Sequence, residues 1–190
     1  FVDPFHGNAI EDDSDGNIIF SSRNSYEITK ISRSTGDIIW RFGGGHNQFT
    51  YANDTIPFQG QHNVSRLENG NITIFDNGNN RTPQQYTRAL EYSLDEVNKV
   101  ATLVWSYIHS PVSFSQFQGS VQRLRNGNTM IGWGKNNLNT TLTEVTPSGE
   151  IVLEMSFPAG NVSYRALRDE YNLTLNVRLA VEGMFNSSTN

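Results

Sequence analysis

The chain has 190 residues, 14 basic against 19 acidic side chains and a formal net charge of −5, with only 17% of residues charged and 36% hydrophobic. Lys and Arg are scattered singly, so no basic patch marks a nucleic-acid surface, and no apolar run approaches the roughly 20 residues of a helical membrane span. Cysteine is absent and aromatic residues reach 11%, which excludes disulfides and thiolate metal sites and argues for a packed core rather than disorder.

The length suits one domain or a piece of one, and the predicted elements fall into three units. The first, near residues 6–45, begins with FHGNAI and turns at Asp15-Gly16-Asn17. It continues as IIFSS (18–22), then EITKIS and DIIWRF around Ser34-Thr35-Gly36. The second, near 61–111, turns at Asn69-Gly70-Asn71 and continues as ITIF (72–75), TRALEYS and ATLVWSYI. The third, near 119–160, turns at Asn126-Gly127-Asn128 and continues as TMIGW (129–133), LTEVT and EIVLEMSF around Pro147-Ser148-Gly149. The D-G and N-G dipeptides predict hairpins with both turn positions at positive φ. Val, Ile, Phe, Trp and Thr dominate the strands with apolar/polar alternation, and no segment shows a 3.6-residue period. The chain reads as all-β.

The units are repeats. Their turn glycines lie 54 and 57 residues apart, and NVSRLENGN matches SVQRLRNGN at Val64/Val121, Arg66/Arg123 and Leu67/Leu124. Four antiparallel strands recurring at such a period predict β-propeller blades; a β-sandwich would not repeat its turn chemistry and strand order. A fourth unit is hinted at by VRLAVEG, whose Gly183 follows Gly127 by 56 residues. Propellers close with about 4–8 blades. The expectation is therefore propeller blades over 1–165, further blades upstream of Phe1, and an irregular tail or closing strand over 166–190.

Eight N-x-S/T sequons, at Asn53, Asn63, Asn71, Asn80, Asn139, Asn161, Asn172 and Asn186, point to a secreted, N-glycosylated protein. The sequence starts with Phe, which is expected of a chain that has lost a leader or begins inside a longer protein.

Function in a repeat protein lies where the repeats differ. His6 and His62 precede their turn glycines by ten and eight residues, and the third unit has Gly119 at the place of His62. Both histidines thus start innermost strands of adjacent blades, which line a propeller's central channel. Arg23 follows the next strand, where the other units have Asn77 and Gly134. One channel mouth is expected to carry His6, Arg23 and His62. Imidazoles attack electrophiles and move protons near neutrality, and a guanidinium grips anionic oxygens. The set suits transfer of an anionic group, although a strand-start histidine is more often a structural hydrogen-bonding residue.

The runs FHGNAI…DGNIIFSSRNS, TGDIIWRFGG, FQGQHNVSRLENGNITIFDNG and GSVQRLRNGNTMIGWG resemble the arylsulfotransferase family, above all its secreted eukaryotic and actinobacterial branch, over about residues 3–165. The resemblance implies a six-bladed propeller, of which this chain supplies about three to four blades. It also implies transfer of a sulfuryl group from a phenolic sulfate ester to a phenol through a sulfohistidine, with no nucleotide sulfate donor, cofactor or metal. The Q-H motif makes His62 the nucleophile. The H-G-N motif makes His6 a channel histidine for the sulfuryl oxygens or the leaving phenolate, and the S-S-R motif makes Arg23 the anion clamp.

Two departures stand out. The bacterial enzymes add an active-site histidine from an earlier blade that this chain lacks, and Asn63 stands where many relatives have Asp. The sequon that Asn63 opens lies beside the proposed nucleophile, so Asn63 is expected to carry no glycan and Asn71 is ambiguous. Asn53, Asn80, Asn139, Asn161, Asn172 and Asn186 are the expected sites. Asp76 reads as an Asx turn residue or an imidazole orienter. His109 reads as a loop cap and His46 as a solvated loop residue, while Trp40 and Trp105 read as inter-blade packing. Gly43-Gly44-Gly45 is no phosphate loop, since no helix follows. The competing reading is a non-catalytic secreted propeller, a binding or structural module completed by other chains or copies. A quinoprotein reading rests on TGDIIW alone, which occurs once.

Overall fold

A computed structural model describes residues 3–158 and 160–169. The first blade is β1 (Gly7–Asp12), β2 (Ile18–Ser22), β3 (Glu27–Ile31) and β4 (Ile38–Gly43), antiparallel and in sequence order. The second is β6 (His62–Arg66), β7 (Ile72–Asp76), β8 (Arg88–Asp95) and β9 (Val100–Tyr107), with β5 (Thr50–Ala52) added parallel to β9. A short strand β10 (Ser115–Phe117) precedes the third blade, formed by β11 (Ser120–Arg123), β12 (Thr129–Gly132), β14 (Thr140–Val145) and β15 (Ile151–Ser156). Strand β13 (Lys135–Asn136) leaves that blade to pair with β10. The innermost strands β1, β6 and β11 lie side by side. These are three blades of a β-propeller, as the repeat predicts; the VRLAVEG segment lies outside the described residues.

The turns differ from the expected form. Only the glycines are left-handed, at φ +83° for Gly16, +85° for Gly70 and +86° for Gly127. Asp13 N–H donates to Asn17 O at 2.8 Å and Gly16 N–H to Asp13 O at 2.9 Å, and the same pair of bonds closes Leu67–Asn71 and Leu124–Asn128. Each is a three-residue loop, a type I turn closed by a glycine bulge, not a two-residue turn with both positions at positive φ. The Asp or Asn before each glycine accepts the N–H two residues on, at 3.0–3.1 Å. That bond is why the turn dipeptide is D-G or N-G.

The core sits between blades. Ile19, Ile28, Trp40 and Phe42 of the first blade pack against Val64, Ile72, Ile74, Leu90 and Tyr92 of the second. Phe75, Ala89 and Tyr107 of the second pack against Val121, Ile131, Trp133 and Val145 of the third. Strand β7 alternates between these clusters, Ile72 and Ile74 on one face and Phe75 on the other, so all five of its residues are buried. Trp40 is fully buried in the first cluster, and Trp105 lies half-buried against the second, both between blades as expected.

Ion pairs tie the same seams. Arg66 of β6 reaches back to Asp13 at 2.7 and 2.9 Å, Arg123 of β11 to Glu91 at 2.5 Å, and Arg168 to Glu144 at 2.5 Å. The last pair explains the start of the tail. Gly119 N–H donates to Tyr164 O at 3.1 Å, Ala166 N–H to Ser120 Oγ at 2.9 Å and Arg168 N–H to Gln122 Oε1 at 2.7 Å. Residues 164–168 therefore run beside β11 in the place of the next inner strand, with Arg168 repeating the role of Arg66 and Arg123.

Candidate active site

Histidine 62 opens β6 and is 3% exposed. The strand bulges between His62 and Val64, with Asn63 at φ +46°. Asn63 is itself buried and accepts the Val121 N–H of the next blade at 2.8 Å. His62 Nδ1 lies 2.9 Å from Asn77 Oδ1. The Asn77 amide nitrogen donates to Ser115 O at 2.8 Å and Gln118 O at 3.0 Å, so its oxygen is the acceptor and Nδ1 of His62 carries the proton. Nε2 accepts the Gln118 N–H at 3.2 Å. Burial pulls the His62 pKa down to about 4; the charges of Arg23 and His6 add to this, and the Asn77 hydrogen bond opposes it. The ring is neutral at physiological pH.

His6 stands just before β1 at φ +51°, half-exposed, with its ring centroid 6.4 Å from that of His62. Its Nδ1 meets Asp3 Oδ2 at 2.6 Å and its main-chain N–H donates to Asp3 Oδ1 at 3.0 Å. The side-chain hydrogen bond to His6 lowers the Asp3 pKa. The backbone at Gly7, the next residue, passes close to Phe20, where a Cβ would meet the ring at 2.7 Å. Arg23 follows β2, its main-chain N–H donating to His6 O at 3.1 Å. Its guanidinium donates to Asn24 Oδ1 at 3.0 Å and Gln116 O at 3.1 Å, while Nε is buried without a partner. An unpaired buried donor is uncommon. The structure thus brings His6, Arg23 and His62 together beside the starts of β1 and β6: a neutral imidazole, a second histidine and a guanidinium.

Asp76 takes neither role expected of it. It is fully buried; Arg81 and Arg88 donate to Oδ2 at 2.6 and 2.8 Å, and the Gln59 N–H donates to Oδ1 at 3.0 Å. Strand alternation sends Asp76 into this ion cluster and leaves Asn77, the next residue, to orient His62. No local sequence pattern marks Asn77 as a site residue, although the repeat sets it opposite Arg23.

The other histidines behave structurally. His109 is buried, with Nδ1 2.9 Å from Pro111 O and Nε2 2.8 Å from Glu154 Oε2, and it packs edge-on against Trp133. His46 is exposed. Among the sequons, Asn53, Asn80, Asn139 and Asn161 are exposed, Asn71 is half-buried and donates to Glu91 Oε1 at 2.7 Å, and Asn172 and Asn186 lie outside the described residues. Among the described residues no cluster of three or more His, Asp or Glu side chains is arranged to hold a metal ion.

Fold and site define the class: a β-propeller with two imidazoles at the starts of its inner strands β1 and β6 and a guanidinium just beyond β2. The Arylsulfotransferase (ASST) family model matches residues 2–165, and the chain belongs to that family. No curated protein matches it. Solved propeller structures resemble it in fold. A streptogramin B lyase aligns with a TM-score of 0.52 at 18% identity over 83% of this chain and 43% of its own. The virginiamycin B lyase of Staphylococcus aureus gives 0.51 at 18% over 81% and 42%. The PQQ-bound aldose sugar dehydrogenase of Streptomyces coelicolor gives 0.51 at 13% over 77% and 46%. At such identities the likeness concerns the fold alone, and the chain spans less than half the length of these structures.

Proposed function

We propose that the chain carries an arylsulfotransferase site that moves a sulfuryl group from a phenolic sulfate ester to a phenol through a sulfohistidine on His62. The observation that carries this reading is the buried, neutral imidazole whose Nδ1 proton is fixed on Asn77 and whose Nε2 keeps its lone pair. In the first half-reaction Nε2 attacks sulfur, an N–S bond forms, and the S–O bond breaks with its electron pair leaving on the phenolate. Arg23 offsets the charge on the oxygens. His6, held through Nδ1 by Asp3, gives a proton to the phenolate. In the second half His6 takes the proton of the acceptor phenol, whose oxygen attacks sulfur and restores His62. The chemistry needs no cofactor.

Incubation of the protein with nitrophenyl sulfate and a phenol tests this. Nitrophenol should appear together with the new aryl sulfate, the protein should gain the mass of a sulfuryl group on His62, and both signals should vanish in His62→Ala. Transfer that survives His62→Ala, or none from the intact protein, would refute the reading.

A secreted, N-glycosylated binding or structural module remains the alternative, and one observation favours it. Strand β15 is exposed along its whole length, and Ile151, Leu153, Met155 and Phe157 present apolar surface where a further blade, another chain or a second copy would pack. A protein without transferase activity that assembles through this face would fit that module.

A further inference from the structure

The nitrogen that attacks in this scheme is occupied by main chain. The Gln118 N–H reaches His62 Nε2 from a strap between β10 and β11, with Gln118 at φ +67° and Gly119 at +110°. A Cβ on Gly119 would stand 2.1 Å from the Phe75 ring, so only glycine lets the strap pass this close. The strap is pinned on both sides of the amide. Asn77 holds the Ser115 and Gln118 carbonyls, Asn79 and Arg23 hold the Gln116 carbonyl at 2.7 and 3.1 Å, and Thr87 Oγ1 accepts the Ser115 N–H at 2.7 Å.

An unprotonated imidazole nitrogen has one lone pair. It accepts the Gln118 proton or it bonds sulfur, and it cannot do both. Once it bonds, the amide loses its acceptor in a part-buried corner, where an unmet donor is costly. The oxygens of the captured group are the acceptors that the reaction itself brings there. The same corner already holds an unpaired donor, Arg23 Nε, and an unpaired acceptor, Gln118 Oε1.

We propose that the main-chain amide of Gln118 is a switching donor: it holds Nε2 of His62 in the free protein and passes to an oxygen of the group that Nε2 captures. The inference rests on the sulfuryl-transfer reading and adds a catalytic group that none of the motif side chains supplies. The N–S bond forms as the aryl S–O bond breaks onto the phenolate. The Gln118 proton stays on its nitrogen and exchanges one acceptor for another, and Nδ1 keeps its proton on Asn77. A donor fixed in the main chain is oriented before the charge develops, which is what makes such groups effective.

Replacing Gln118 by its α-hydroxy acid turns the N–H into an ester oxygen and leaves the side chain in place. In that variant the His62 ring, followed by NMR, should titrate at higher pH than in the wild type. Its acylation by diethyl pyrocarbonate should quicken by about tenfold, the worth of one hydrogen bond, while transfer from nitrophenyl sulfate should slow by about a hundredfold. Gln118→Gly keeps the N–H and tolerates the left-handed φ, so it should behave as wild type in titration and acylation. An unchanged titration in the ester variant overturns the inference whatever the activity. Faster transfer in the ester variant would make the amide a mere lid and overturns its catalytic half. A wild type that transfers nothing overturns the sulfuryl reading and that same half, while titration still decides whether the amide holds Nε2.

Discussion

His62 and Asn77 are locked in one relative orientation: the Nδ1 proton of the imidazole sits on Asn77 Oδ1 at 2.9 Å because the Asn77 amide nitrogen is committed to the Ser115 and Gln118 carbonyls. An inverted amide would lose those two bonds and present a donor to a donor. The tautomer of the proposed nucleophile is therefore set by strap carbonyls about 40 positions away in the chain.

Asn77→Leu should therefore free the ring. Transfer should fall by about tenfold to a hundredfold in kcat, with KM nearly unchanged, since the side chain positions the nucleophile rather than the substrate. Asn77→Asp acts in the opposite electrostatic sense. A carboxylate beside Nδ1 favours the imidazolium, so NMR titration should place His62 well above its present value of about 4. A titration that does not move would remove Asn77 from the role given to it.

The depressed pKa also makes stability depend on pH. In the unfolded chain the imidazole takes up a proton near its ordinary 6.5, and in the folded protein only near about 4. Between those values the unfolded state binds the extra proton, so stability rises with pH there and is complete above 6.5. The full contribution is about 3 kcal/mol. Urea unfolding of wild type and His62→Gln from pH 4 to pH 7 checks it. The wild type should lose this increment relative to the variant as the solution is acidified, and parallel curves would contradict the assignment. In activity, the acidic limb of the kcat/KM profile should fall near the lowered His62 value, not near 6.5.

Blades and inner-strand histidines are legible in the sequence because they rest on local period and repeat. Alternating apolar residues fix which face of β7 is buried, and the aligned turns place His6 and His62 at the same channel end. The remainder depends on which chain segments meet in space. Asn77 orients His62 only because β10 arrives from 38 positions away to fix its amide, and no local pattern announces that meeting. Asp76 differs for a related reason: the sequence offers it as an Asx turn residue or an imidazole orienter, and alternation turns it toward Arg81 and Arg88 instead. The turn dipeptides were legible as turns but not as three-residue loops, because the strand ends that set loop length are fixed by pairing, as with Asp12 opposite Ile18.

The Asn63 sequon gives a test independent of activity. Asn63 is buried, and its side-chain oxygen accepts the Val121 N–H at 2.8 Å across the seam between blades. A glycan has no room there without parting the blades. Peptide mapping of protein made in a secretory host should find Asn63 unmodified, with sugar confined to exposed sequons such as Asn53, Asn80, Asn139 and Asn161. Sugar on Asn63 in folded protein would rule out this packing of β6 against β11.

The ion cluster behind the site should be sensitive to single changes. Asp76 is fully buried with two guanidinium groups on one oxygen, and Arg88 also meets Asp54 at 3.2 Å. Asp76→Asn removes the charge and leaves Arg81 with the Tyr86 carbonyl, and Arg88 with Asp54 and the Ile56 carbonyl. Breaking a buried pair from one side costs about 3–5 kcal/mol, most of it the desolvated charge left behind. The denaturant midpoint should fall accordingly, and His62 should lose order with it, because Asp76 anchors the end of β7 from which Asn77 projects. If Asp76→Asn leaves the midpoint within about 1 kcal/mol of wild type, the cluster is better solvated than its burial indicates, and the rigidity ascribed to Asn77 has another source.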